Sequence, residues 1–447
     1  IRKHQIPPVA GVFGQVRDRS LVLAEKTTNN RIGYFLQWLN KGSWAVLDQA
    51  LFAGTHFVLN ILLARWLSPD EYGAFAVAFS IFLLLGAFHT AFLTEPMLVF
   101  GPGRYNNRFS DYLGYLIYGH WFISLMASLV LFLSYWFFHS KGQIALANSF
   151  FGLALAAPFI LLLWLTRRAF YVELNPKYAS FGGAFYFIAV CLALLLLYHH
   201  EMLSPFWAFI AMAVASALVN ISFLVLLRPN WRRLSCNPDF AEAVRMQWTY
   251  ARWSGATTIL TWIPGNIYYS LLPSFVGLGG AGALRATQNV IMPVLHGLSV
   301  LSILLVPKFV QVFNHNGKKA LFKISKSVSL LFVVLAVFYW VLIIASGPWL
   351  MKLLYGDKYL EYNAIIPIIG FLPVSAGIVA VIGGALRAME RPDLVFKSYI
   401  ITLFSTLTVG IGLTYCGGVI GSGIALLISS LTTAVALTWF YFAGLKT

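Results

Sequence analysis

Charge is scarce in this sequence, and carboxylates scarcer still. Only 10% of the 447 residues are charged, and 15 residues in all are Asp or Glu. A soluble domain carries about 25% charged residues, so a soluble globular chain is excluded. The three cysteines, Cys191, Cys236 and Cys416, lie far apart and outline neither a disulfide framework nor a metal site. No G-x-x-x-x-G-K-[ST] run is present, so this chain is not expected to hydrolyse ATP. A secretory signal is missing too: residues 1–30 are polar and basic. The first residue is Ile, which reads as a truncated start.

What is present is apolar. Hydrophobic residues make up 59% of the chain, and the mean hydropathy is +0.77. The apolar runs are long and continuous, unlike the ~10-residue alternating segments of a membrane barrel. An all-α polytopic membrane protein follows. Spans of ~20 apolar residues fall near 43–66, 74–99, 113–138, 150–166, 180–198 and 205–227, then near 254–276, 282–307, 328–349, 362–386, 396–415 and 419–443. This predicts twelve transmembrane helices in two six-helix lobes. The expected divisions are a basic N-terminal segment at 1–42, an N-lobe at 43–227, a linker at 228–253 and a C-lobe at 254–447. Within the first of these, Ile32, Phe35, Leu36 and Leu39 share one face of an expected interfacial helix. The linker is expected to form an amphipathic helix.

The formal charge of +16 sits in short loops between apolar runs. That is the pattern of topology signals and anionic-lipid contact, not of a nucleic-acid partner. With both termini cytoplasmic, all but five of the 31 Lys and Arg fall on the inner side; the exceptions are Arg65, Lys141, Arg285, Lys352 and Lys358. Adding or losing one span would scramble this alternation. The longest outer loop, around 139–149, leaves no room for an extracytoplasmic catalytic domain, so the chain is not read as an enzyme and no cofactor is expected.

Two turns recur. Tyr72-Gly73-Ala74-Phe75-Ala76 opens the second span of the first group, and Ala281-Gly282-Ala283-Leu284-Arg285 opens the second span of the other. Arg168 to Pro176 and Arg387 to Pro392 each follow a fourth span. Such self-similarity indicates a duplicated unit. With an even number of helices per unit, the copies share one orientation about an axis along the membrane normal. Two facing bundles leave a cleft that rocking exposes to either side in turn.

Several motifs resemble those of the polysaccharide (O-antigen and exopolysaccharide) flippases of the MOP transporter superfamily. They are Ala64 to Gly73, Gly282 to Arg285 leading to Pro307, Leu353 to Tyr359, and Gly384 to Pro392. Together they span the membrane region 43–443. The resemblance implies two lobes in a V shape and transfer of an undecaprenyl-pyrophosphate-type glycan precursor from the inner to the outer leaflet of a bacterial inner membrane, for cell-surface polysaccharide synthesis. It implies as partners the lipid-linked glycan, the bilayer and a glycan polymerase or export machinery. The long basic N-terminus departs from the usual pattern. The alternatives are a MATE-like antiporter of organic cations or metabolites, which should have a more acidic site, and a membrane enzyme of glycan assembly.

Polar residues inside the spans nominate a site, because ionisable groups there are costly. Asp48, Gln49, Thr55, His56 and Asn60 fall on roughly one face of the first span. Glu95, followed by Pro96, reaches a similar depth on the second. Asp48 and Glu95 are candidates for ion coupling or an inner gate. In the eighth span Arg285, Gln288, Asn289, His296 and Ser299 form a stripe, interrupted by Pro293. A substrate bearing a phosphate suits an always-charged arginine, so Arg285 is the first candidate. Arg65, His56, Asn60, Gln288, Asn289 and His296 complete the expected substrate-binding set. In the seventh span Ser254, Thr257, Thr258 and Thr261, followed by Trp262, Pro264, Asn266, Tyr268 and Tyr269, read as packing groups; the alternative is a cavity wall whose aromatic rings stack on sugar faces. His89 reads as an isolated, packed side chain.

Overall fold

The structure, a computed structural model, describes residues 31–230 and 238–446. The basic segment 1–30, with Arg232, Arg233 and Cys236 of the linker, lies outside the described residues. Every regular element among the described residues is helical. We number the helices α1 (Arg31–Trp66), α2 (Pro69–Phe100), α3 (Phe109–Ser140), α4 (Ile144–Val172), α5 (Pro176–His199), α6 (Pro205–Leu227) and α7 (Pro238–Phe275). Next, the helical run Leu278–Tyr355 breaks at Gly317 into α8 (278–316) and α9 (318–355). Then come α10 (Leu360–Ala388) and the two arms of Pro392–Leu445, which part at Gly418 into α11 (392–417) and α12 (419–446).

The two breaks are dictated by length. The 78 residues of Leu278–Tyr355 would extend about 117 Å as one helix, against a hydrocarbon core of about 30 Å. Gly317 (φ 72°) and Gly418 (φ 53°) sit in the left-handed region that glycine tolerates, and the chain reverses there. Nine described stretches are long and apolar enough to cross a membrane. Two of them contain such breaks. Thr261, Pro264 and Asn266 of α7 and Arg285, Gln288 and Ser299 of α8 line a cavity together with residues of α10, α11 and α12.

The predicted duplication is visible in the backbone. Left-handed residues close the turns after α3 (Gly142), α4 (Leu174) and α5 (Glu201), and again after α9 (Gly356), α10 (Glu390) and α11 (Gly418). The second pair share a cap: Asn175 N–H donates to Phe170 O at 2.8 Å, and Arg391 N–H to Leu386 O at 3.0 Å. Each cap precedes the proline that starts the next helix.

The expected interfacial helix is not a separate element, because residues 31–41 continue into α1 without a turn. The linker helix likewise runs on as the basic-side end of α7. It packs on the N-lobe, with Gln247 Nε2 donating to Tyr112 Oη at 2.8 Å and Phe240 against Tyr115. In the N-lobe α4 is the enclosed helix, 78% buried over its apolar window, and packs against α3 and α6. The outward faces are apolar: Phe122, Leu129, Leu133 and Trp136 on α3, and Leu330, Val334, Leu335 and Phe338 on α9, are all exposed at near-helical spacing. Such faces suit lipid tails as neighbours.

Candidate functional site

The lobes meet where the repeated turns meet. Ser68 and Glu71 form a capping box that starts α2, and this fixes Asp70 and Gly73 at the seam. Asp70 Oδ1 accepts the Gly279 N–H at 2.8 Å. Gly73 and Gly282, equivalent positions of the two copies, lie backbone to backbone. Alongside, Arg65 Nη1 donates to Leu353 O at 3.0 Å, while Lys358 Nζ donates to Arg65 O at 2.7 Å and Leu67 O at 2.8 Å. These bonds close the face opposite the basic loops.

One layer deeper, both lobes contribute to a buried polar network. Asn60 Oδ1 accepts from Arg285 Nε at 3.1 Å and from Tyr72 Oη at 3.3 Å. Asn289 Nδ2 donates to Tyr72 Oη at 3.0 Å, and Tyr269 Oη donates to Gln288 Oε1. The Arg285 guanidinium lies 4.9 Å from the Phe79 ring centroid and 5.7 Å from that of Tyr269. Arg285 is 4% exposed, yet no carboxylate pairs with it among the described residues. It faces a cavity of about 760 Å³ walled by α7, α8, α10, α11 and α12. The wall offers hydroxyls and amides (Thr261, Asn266, Gln288, Ser299, Ser302, Thr433), with Arg387 and Tyr399 towards the basic face. It contains no Asp or Glu.

The sequence candidates divide. Arg285, Asn60, Gln288 and Asn289 come together in this network. The His56 nitrogens are buried without hydrogen-bond partners, its ring packed on Phe52 and Phe79. His296 lies within electrostatic reach of His56 and Arg285. Arg65 is elsewhere, in the strap that closes the outer seam. Asp48 turns away from the cleft: Tyr171 Oη donates to it at 2.6 Å, and Arg167 Nη1 lies 3.4 Å away. Glu95 is in a different network, accepting from Ser254 Oγ at 2.6 Å across the lobe boundary.

Three readings change. Arg167 is not a loop cation; it lies inside α4 with its side chain 5% exposed and stacks over Phe52 at 3.8 Å. Pro293 does not interrupt α8, which continues through it as a helix. His89 is not isolated, since its Nε2 lies 2.9 Å from His120 Nδ1. Sequence reasoning missed Tyr72 and Phe79 as site residues, although Tyr72 lay in a recognised motif; Tyr269 it had named as part of an alternative cavity wall.

The Asp48–Arg167 pair has a measurable consequence. Removing one partner of a buried ion pair leaves an uncompensated charge and costs about 3–5 kcal/mol. Asp48→Leu is therefore expected to lower the melting temperature in detergent sharply, and Asp48→Leu with Arg167→Met to restore most of it. Equal melting of the single and double variants would show that the pair carries no such coupling.

No family model matches the chain, and no curated protein matches it. Solved structures do. An inward-facing multidrug-resistance MATE-family transporter of the MOP superfamily superposes with TM-score 0.72 at 13% identity, over 90% of this chain and 98% of that one. The lipid II flippase MurJ in an inward closed conformation gives TM-score 0.68 at 13% identity, over 91% and 87%. The chain has the MATE–MurJ fold. An outward-facing MATE-family structure gives TM-score 0.61 at 12% identity, over 90% and 95%. Those neighbours are transporters and a flippase; in this chain the seam and the network join helices of residues 43–227 to helices of 254–447, while the cavity beside them is walled by α7, α8, α10, α11 and α12 with only Leu83 from α2.

Proposed function

We propose that the chain is a flippase that carries a polyprenyl-pyrophosphate-linked glycan from the cytoplasmic to the outer leaflet of a bacterial inner membrane, for cell-surface polysaccharide synthesis. The carrying observation is the cavity. It presents a buried arginine with no carboxylate partner, a lining of hydroxyls and amides, and no acidic residue. An arginine with free donors fits a pyrophosphate, and a hydroxyl-rich wall fits sugar. An organic-cation antiporter of the same fold would place carboxylates there to attract its substrate. In this reading Arg285 holds the pyrophosphate, with Asn60, Gln288 and Asn289 fixing its orientation, His56 and His296 beside it, and Arg65 closing the outer seam. Glu95 acts at the inner gate through Ser254. Asp48, engaged by Arg167 and Tyr171, holds α1 to α4. The prenyl tail stays in the bilayer, the lobes are residues 43–227 and 254–447, both termini are cytoplasmic, and a polymerase or export complex takes the product.

The test uses the full chain in liposomes with a fluorescent polyprenyl-pyrophosphate oligosaccharide. Protein-dependent transfer between leaflets is expected, without transport of ethidium. Ethidium transport without glycan transfer would overturn the proposal in favour of cation antiport.

A further inference from the structure

We infer that a second cavity, on the basic-face half of α7, is a subsite for the distal sugars of the glycan, so that the ligand carries a chain of several sugars and not a single one. The inference rests on the flippase reading and divides its substrate between two chambers. The second cavity holds about 800 Å³ between Phe100, at the end of α2, and one face of α7. Its size is that of a ligand site, and it lies at a lobe boundary, where such sites are common.

Its chemistry differs from that of the Arg285 cavity, whose wall has no acidic residue. Here Glu242 lines the wall and pairs with Arg104 of the turn after α2. Glu95 lies beside the cavity, bonded to the lining Ser254. Arg245 adds a cation that no carboxylate pairs with among the described residues. Thr249 and Ser254 add hydroxyls, and the Tyr250 ring stands edge-on to Phe100 at 6.1 Å. A sugar hydroxyl both donates and accepts, so it is served by carboxylate acceptors and guanidinium donors set together. The C–H face of a sugar ring is apolar and stacks on an aromatic ring. A pyrophosphate only accepts, and carboxylates repel it. The second cavity therefore fits sugar, as the first fits the phosphates.

One face of α7 joins the two chambers. Tyr250, Ser254, Thr257, Thr261 and Gly265 recur at helical spacing. The first three line the second cavity, and Thr261 and Gly265 line the Arg285 cavity. A single turn separates them, and Thr261 Oγ1 donates to Thr257 O at 3.1 Å. Another face of α7 holds the helix to the N-lobe: Trp262 Nε1 donates to Ser80 O at 3.0 Å, and Trp248 and Gly255 meet Phe92. The separation sets the ligand's reach. Tyr269, whose ring lies 5.7 Å from the Arg285 guanidinium, is about 28 Å along the helix axis from Tyr250. A single sugar on a pyrophosphate held by Arg285 ends in the first chamber. Only a longer chain extends to Tyr250.

The test uses the full chain in nanodiscs, its cysteines replaced by serine, with one new cysteine in either chamber: Thr249→Cys in the second or Asn266→Cys in the first. Alkylation by a water-soluble maleimide is timed with two ligands, the fluorescent polyprenyl-pyrophosphate oligosaccharide of the transfer assay and the same polyprenyl pyrophosphate without sugar. The glycosylated ligand is expected to slow labelling at both positions, and the sugar-free one at Asn266→Cys only. Tyr250→Ala should weaken binding of the glycosylated ligand about tenfold and leave that of the sugar-free ligand unchanged. Protection of Asn266→Cys by both ligands with none at Thr249→Cys would overturn the subsite and leave the flippase reading standing. Equal protection of Thr249→Cys by the sugar-free ligand would overturn the assignment to sugar. Protection of neither position by either ligand would overturn the flippase reading and this inference with it. The labelling is done with Tyr250 in place, so it decides even if Tyr250→Ala fails to fold.

Discussion

Arg285→Ala is expected to reduce leaflet transfer of the lipid-linked glycan by about 100-fold or more, with expression, topology and melting temperature close to wild type. The magnitude follows from losing two charge-assisted hydrogen bonds to a pyrophosphate, each about 1.5–3 kcal/mol, at about 1.4 kcal/mol per factor of ten. The fold should survive because Arg285 has no ion-pair partner to strand. Asn60 Oδ1 keeps its bond from Tyr72, and Phe79 and Tyr269 keep their packing. Arg285→Lys separates charge from shape. Lysine retains the charge but cannot donate through Nε to Asn60 while presenting a planar fork to the ligand. It should recover only part of the loss. If Arg285→Ala transports normally in the liposome assay, the cavity is not the pyrophosphate site. If Arg285→Lys is fully active, charge alone suffices and the Asn60 contact is incidental.

The overall layout was legible in the sequence for a simple physical reason. Placing 26 of the 31 Lys and Arg on one face leaves few ways to thread a chain through a bilayer, so the span count follows from charge and length together. The duplication was legible because turns reuse the same chemistry, as the matched caps at Leu174 and Glu390 show. Partners across helices were not legible. Helical periodicity gives the direction a side chain points but not what it meets. Asp48 and His56 share a face of α1 in sequence, yet one meets Arg167 of α4 and the other Phe79 of α2. Arg167 and Arg285 sit near the ends of apolar runs, where charge counting assigns arginines to loops. Burial at 4% exposure each could be seen only once the neighbouring helices were in place. His120 carries no motif, and nothing in the spacing points 31 residues back to His89.

The second large effect is expected at the seam glycines. A β-carbon on Gly73 would lie 1.8 Å from the Leu278 carbonyl oxygen, and one on Gly282 would lie 2.8 Å from the Pro69 carbonyl oxygen. Both neighbours are backbone, so neither can swing aside as a side chain would. Gly73→Val should therefore keep the outer seam from closing. The Asp70–Gly279 bond and the Arg65 and Lys358 straps depend on that approach, and all should fail together. Each lobe is untouched internally, so the variant is expected to fold and to rest with its outer face open. Labels at Met202→Cys and Trp349→Cys, exposed on the outer ends of the two lobes, should move apart in distance measurements. Glycan transfer should fall at least about 10-fold, because a barrier penalty of ~1.4 kcal/mol already gives that factor and a backbone clash exceeds it. Gly282→Ala should do the same more weakly, as its contact is longer. Gly54→Ala on α1, where a β-carbon meets nothing within 4 Å, is the control and should leave both distance and transfer unchanged. An unaltered label distance in Gly73→Val would mean that the two turns do not bear the closure. The pseudo-two-fold contact between Gly73 and Gly282 would then be a by-product of duplication and not the hinge on which the outer face shuts.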